Sequence, residues 1–276
     1  MEPLSTSEGF FAAIGLSKLV NYWHVMVLTT VACQLIASFS RLASPILFPK
    51  TYGNLKGVKR LSWDMHVVSL VNCIVVSVLA TPMHWNHSLP QDKLFGYNDQ
   101  VGLLHSIASG YFLWDAFHHI KYVKDFGIGF AFHGVASLFL GVYSFVNTLT
   151  SFCIFRPFIM YYGCSFLMFE LSTPFLNFHW FMDKLGYTGS MAQIVNGVIL
   201  VIVFFFARLV WGFWTMYDLI VTVIPRLDQI PWYVTLFFGM AFTCLNLLNI
   251  YWFRKMILSV RARFLLNDKF NKNKRE

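Results

Sequence analysis

Charge is what this chain has least of. Only 12% of its 276 residues are Asp, Glu, Lys or Arg, about half the share carried by an ordinary soluble domain. So little charge leaves too little polar surface to keep a fold of this size dispersed in water. Acidic residues are the scarcer sign, 13 against 21 Lys and Arg, for a formal charge of +8. The excess does not point to nucleic acid. Zinc-knuckle spacing, a Gly-rich phosphate loop and an RNA-binding signature are missing, and the basic residues flank hydrophobic runs, where they set membrane orientation. Cysteine is sparse: Cys33, Cys73, Cys153, Cys164 and Cys244 all fall inside apolar runs, with no CxxC pair. They read as reduced thiols packed as small hydrophobes rather than as disulfides or metal ligands. The pattern of a cleavable secretory signal is also missing, because Glu2 and Glu8 precede an uncharged run from Leu19 to Ser40 that is long enough to span. No internal repeat, low-complexity linker or second domain is visible.

What is present is hydrophobic: 57% of residues are apolar and the mean hydropathy is +0.58. A helix needs roughly 20 mostly apolar residues to cross a bilayer, and backbone groups in lipid must be satisfied within the segment. The runs do not alternate polar and apolar residues as a membrane barrel requires, which makes strand pairing a poor alternative. Seven helical spans are expected, at about 20–40, 63–83, 101–121, 128–148, 156–175, 192–217 and 232–253. Pro157 fits the first turn of the fifth, where a missing N–H costs little. Pro174 fits its end, and Pro82, Pro225 and Pro231 bracket other boundaries. The expected fold class is all-α and polytopic.

Lys and Arg orient the spans. Sixteen of them share one side if the chain crosses seven times: five in the 41–62 loop, eight from Arg254 to Arg275, and Lys121, Lys124 and Lys184. The other side receives Lys18, Lys93, Arg156 and Arg226, with Arg208 inside the sixth span. The first loop and the tail are therefore expected in the cytosol and the N-terminus in the lumen. The sequon Asn86-His87-Ser88 falls in an expected lumenal loop and agrees. The ending Lys272-Asn273-Lys274-Arg275-Glu276 has the lysine spacing of a dilysine retrieval signal, so the expected location is the endoplasmic reticulum membrane.

Ionisable residues inside spans cost about 2.5–3.5 kcal/mol each at the helix centre on insertion scales, and they belong in the bundle interior or a wet cavity. Here they are Asp64, His66, Asp115, His118, His119, His133 and Glu170, followed by Asn177 and His179. The expected topology brings all of them toward the cytosolic leaflet. Asp115, His118 and His119 stand at i, i+3 and i+4, on one helix face, and a carboxylate there can orient an imidazole for general-base work. His118 and His119 equally fit interfacial residues near lipid headgroups. His133 interrupts the apolar run Phe130–Ser137. It is either a satisfied bundle residue or a catalytic base. Glu170 is either an assisting acid or a structural partner of Arg208. No H-E-x-x-H motif is present, so no metal is expected.

At these residues the chain resembles the TLC-domain family, which includes ceramide synthases and small lipid-homeostasis proteins. Four stretches carry the resemblance: Glu170-Leu171-Ser172-Thr173-Pro174-Phe175-Leu176-Asn177 with Trp180-Phe181; Gly110-Tyr111 with Asp115; Trp63 with Val67-Val68-Ser69; and Phe132–Ser137. The resemblance implies a TLC domain over 60–255, preceded by a first helix and loop (1–59) and followed by a basic tail (256–276). It implies six helices around a lipid-accessible cavity open to the cytosol. On an acyl-transfer reading, which the one-sided polar cluster motivates, the catalytic groups are His133 as general base or nucleophile, Asp115 orienting it and Glu170 assisting, with His66, His118 and Asn177 binding substrate. Acyl-CoA is the implied donor and membrane lipids the implied partners, with no bound cofactor. The second histidine of the ceramide synthase pair is Gly134 here, which counts against ceramide synthesis. Two readings stay open: acyl transfer at the cytosolic leaflet, and lipid binding or sensing without turnover.

Overall fold

The computed structural model describes residues 18–85, 89–145, 148–149 and 155–273, with side chains over 18–85, 89–145 and 157–262. The sequon at 86–88, Cys153, the stretch before Lys18 and the end from Lys274 lie outside the described residues.

The helices group into seven rods among the described residues. They are α1 (Trp23–Leu47), α2 (Val58–Trp85), α3 (Asp99–Lys121), α4 (Ile128–Tyr143), a fifth rod built of α5 (Met160–Leu167) and α6 (Thr173–Lys184), a sixth built of α7 (Met191–Phe204) and α8 (Trp211–Val223), and α9 (Trp232–Asn273). The extended pairing among the described residues is one two-residue antiparallel ladder, Thr148–Leu149 with Phe155–Arg156. Four rods are long and apolar enough by themselves to cross a membrane: α1, α2, the sixth and α9. The protein is an all-α, multi-pass membrane protein.

The third rod shows why hydropathy alone undercounts the crossings. α3 carries His105, Ser106, Ser109, Asp115 and His118, yet all of these are buried, because α1, α2, α4 and α5 pack around it. Its polar groups face protein, so lipid does not have to solvate them. Small residues let its neighbours approach closely. A Cβ on Gly110 would overlap the carbonyl oxygen of Met26 on α1, and the Gly110 carbonyl accepts a 2.8 Å hydrogen bond from Thr30 Oγ1. Gly110→Ala is expected to cost about 1–3 kcal/mol by overpacking, read as a lower melting temperature. Gly53→Ala, where nothing lies within 4 Å, serves as the silent control.

Several boundaries differ from those expected. Pro157 is not in a first turn; the fifth rod starts at Met160, after Ile159 in the left-handed region (φ 50°). Pro174 does not end that rod. It sits in the first turn of α6, where its missing N–H is harmless, after a 3₁₀ stretch Met168–Ser172. Pro82 lies inside α2, which runs on to Trp85. The last rod does not stop near residue 253 but stays helical to Asn273. From Arg254 to Asn273 the chain holds neither Gly nor Pro, so nothing breaks the helix where the lipid-length run stops.

Both ends of the bundle are tied. At one end, buried Asp64 accepts from Ser40 Oγ (2.7 Å), Tyr52 OH (3.1 Å) and Arg41 Nε (3.2 Å), pinning the connection between α1 and α2. Burial, then the Asp64 charge, pushes the Tyr52 phenol up to about 12. At the other end, Lys93 pairs with Asp218 and Arg226 with Asp92, both at 2.8 Å. Burial disfavours the charged form of Asp92. The Leu94 N–H, the Arg226 guanidinium and the Phe95 N–H outweigh it and hold the carboxyl below its usual range.

Candidate functional site

A chamber of about 480 Å³ opens between the rods. Residues from α2, α3, α4, the fifth rod, the sixth rod and α9 all reach its wall, and none from α1 does. Six rods thus ring the chamber and α1 stands outside. The chamber lies at the end of the bundle where the start of α2 meets the end of α6: Trp63 packs on Trp180 and Phe181, and His66 stacks on Trp180 with ring centroids 4.0 Å apart.

Five of the six residues singled out from the sequence line this chamber: His66, Asp115, His133, Glu170 and Asn177. The sixth, His118, does not. Its Nδ1–H donates to the Trp114 carbonyl (2.8 Å) and its ring lies against that indole. The neighbour at the next position takes the inward place. His119 Nδ1 is 3.1 Å from Asp115 Oδ2, and its ring stacks on Phe130. Its Nδ1–H donates to the Asp115 backbone carbonyl (3.1 Å) with the carboxylate beside it, so the neutral ring carries its lone pair on Nε2. Asp64, at the same end, faces α1 rather than the chamber.

His66 and Asn177 form a second oriented pair. Asn177 Nδ2 donates to Ser69 Oγ (3.2 Å), and its Oδ1 lies 2.7 Å from His66 Nδ1. His133 differs from both. Its ring sits edge-on between Phe112 and Trp252, and among the described residues no hydrogen bond reaches its nitrogens.

The feature that sequence reasoning left outside the site is Arg208. It sits in a π-helical turn, Phe205–Val210, that joins α7 to α8, a distortion frequent at functional sites. Its Nε donates to Ser172 Oγ (2.9 Å), Nη2 to Thr173 Oγ1 (3.0 Å) and Nη1 to Asn249 Oδ1 (3.3 Å). Glu170 Oε1 stands 3.8 Å from Nη2. The Glu-Leu-Ser-Thr block therefore has a physical purpose: three of its four side chains cradle one buried guanidinium. The signal for this was available, since Arg208 is the one basic residue inside the sixth apolar run.

A narrower pocket of about 80 Å³ continues from the chamber, sharing His133 and Glu170 with it. Phe112, Phe166 and Phe242 give it apolar walls, and His105, bonded to the Met160 carbonyl and the Ser144 hydroxyl, stands at its far side. Both spaces are lined mainly by apolar atoms with a minority of polar groups, which suits an amphiphile. Among the described residues no three His, Cys, Asp or Glu side chains converge closely enough to hold a metal ion.

Residues 62–258 match the model of the TLC domain. The chain belongs to the TLC-domain family. Over 255 residues it is 39% identical to an uncharacterized TLC domain-containing protein of Schizosaccharomyces pombe, covering 92% of this chain and 84% of the relative. It is 28% identical to topoisomerase I damage affected protein 4 of Saccharomyces cerevisiae, covering 87% and 84%. With the human TLC domain-containing protein 4 it shares 27% identity, covering 91% and 86%.

Within this TLC domain, Gly134 has a steric meaning. A Cβ there would lie 2.9 Å from Asp115 Oδ2 and 3.1 Å from the Ala116 Cα. The position faces the α3 backbone, so a histidine at 134 has no room beside Asp115. The imidazoles with a polar partner in this chamber are His119, beside Asp115 on α3, and His66 on α2, paired with Asn177 of α6.

Proposed function

We propose that this TLC-domain protein works in membrane-lipid metabolism, transferring an acyl chain to a lipid at the cytosolic leaflet of the endoplasmic reticulum. In this reading the first loop and the end of α9 face the cytosol, the TLC domain spans 60–255, and acyl-CoA is the donor. The observation that carries it is the set of ionisable groups gathered in one largely apolar chamber. An oriented Asp115–His119 pair, the His133 ring and the Glu170–Arg208 pair share the chamber, and His133 and Glu170 also border the neighbouring pocket. His119 Nε2 takes the proton of the attacking amine or hydroxyl, with Asp115 holding the ring. His133 offers its N–H to the carbonyl oxygen, where negative charge builds up as the thioester is attacked. The coenzyme A thiol leaves with the proton returned by His119.

The test uses the purified full-length chain in detergent with radiolabelled palmitoyl-CoA and a microsomal lipid extract. Labelled lipid should form, and His133→Ala and Asp115→Ala should each abolish it. If no label transfers, and both variants restore the lipid profile of a deletion strain, catalysis is the wrong reading. The closed space at Gly134 favours the second reading in that event, a lipid-binding protein that adjusts membrane composition without turnover.

A further inference from the structure

The Glu170–Arg208 pair is buried, at 7% and 6% exposure, yet its closest oxygen–nitrogen separation is 3.8 Å. That is too long for a hydrogen bond. Arg208 spends three N–H groups on Ser172, Thr173 and Asn249, and a guanidinium carries five. Two donors are left on a cation that lines the chamber, held in place by neutral oxygens, with its counter-charge set apart.

Charge balance narrows what can enter between them. The pair is neutral as it stands, and the other two charged residues that line the chamber, Asp115 and the exposed Lys255, are also of opposite sign. A purely anionic headgroup bound at Arg208 would leave one excess negative charge beside Glu170, inside a bundle embedded in lipid. A purely cationic headgroup would leave one excess positive charge beside Arg208. Uncompensated buried charge is expensive. A headgroup carrying both signs meets Glu170 with its ammonium and Arg208 with its oxyanion, and the chamber stays neutral. Its hydrocarbon tail has the pocket walled by Phe112, Phe166 and Phe242, which Glu170 also borders.

We infer that the chamber selects a zwitterionic amphiphile, with an ammonium set against Glu170 and a phosphate or carboxylate set against Arg208. This rests on the reading of the chamber as a lipid site and adds the substrate class to it.

The experiment is a competition among tail-matched probes, read by native mass spectrometry of the full-length chain in a maltoside detergent. Two probes are zwitterions, palmitoyl lysophosphatidylethanolamine and 2-aminohexadecanoic acid. The others are hexadecyl phosphate, hexadecylamine and monopalmitoylglycerol. At least one zwitterion should be bound about tenfold more than each of the other three. Which zwitterion wins tells phosphate from carboxylate. Glu170→Gln, an isosteric change that spares the Arg208 hydrogen bonds, should move the preference to hexadecyl phosphate. Binding of the phosphate or the amine as well as either zwitterion by the native chain would overturn the inference, as would an unchanged ranking in Glu170→Gln. Loss of acyl transfer with the ranking intact removes the catalytic reading and leaves this one standing. Transfer with a flat ranking does the reverse.

Discussion

Replacing Arg208 by alanine should cost the folded protein about 3–5 kcal/mol, the loss typical when one partner of a buried ion pair is removed. The change strands Glu170, which is 7% exposed, and takes the donors from Ser172, Thr173 and Asn249. It also removes the cation that lies 5.1 Å over the Phe204 ring. The check is thermal unfolding of the detergent-purified chain. Arg208→Met combined with Glu170→Leu should recover about half of the loss or more, because removing both charges also removes the desolvation penalty. A double variant no better than Arg208→Ala would show that the hydrogen bonds to Ser172, Thr173 and Asn249 dominate, and that the ion pair contributes little.

Asp115→Asn should lower acyl transfer by about 10²–10⁴-fold, the range that a positioned general base supplies. The side chain keeps its shape, so the close passage of α3 against α4 at Gly134 is undisturbed. What changes is the charge: the amide no longer sets a carboxylate 3.1 Å from His119 Nδ1. The Asp115 backbone carbonyl still fixes the tautomer, and what the ring loses is its stabilised cation. His118→Ala, whose ring points at the Trp114 carbonyl instead of the chamber, should leave transfer within about twofold of the native rate, since it supplies no proton transfer. The two single variants, compared in one transfer assay with melting temperatures alongside, separate a proton-handling histidine from a packing one.

The gathering of polar residues at one end was legible because it follows from counting. An odd number of crossings puts the starts of α2 and α4 beside the ends of α3 and the fifth rod, so Asp115, His133 and Glu170 had to approach one another. The choice between His118 and His119 was not legible. Both lie on the same helix face as Asp115, and the spacing of i+3 against i+4 decides nothing until α1 and α4 take their places on either side. Arg208 was visible as a lone cation in an apolar run, but its depth depends on a π-turn, which leaves no signature in hydropathy. Pro174 misled because a proline that ends one helix and a proline that begins the next look the same along the chain.

What the amino-acid sequence determined by itself is the solvent and the segmentation: long uncharged runs require lipid, and lipid requires helices. What only the tertiary structure decided is partnership. Which carboxylate meets which imidazole, why Gly134 has no space for a side chain, and that Glu170, Ser172 and Thr173 surround one guanidinium all depend on contacts across rods. Those contacts form at distances of a few ångströms between residues tens of positions apart, and periodicity along one helix carries no information about them.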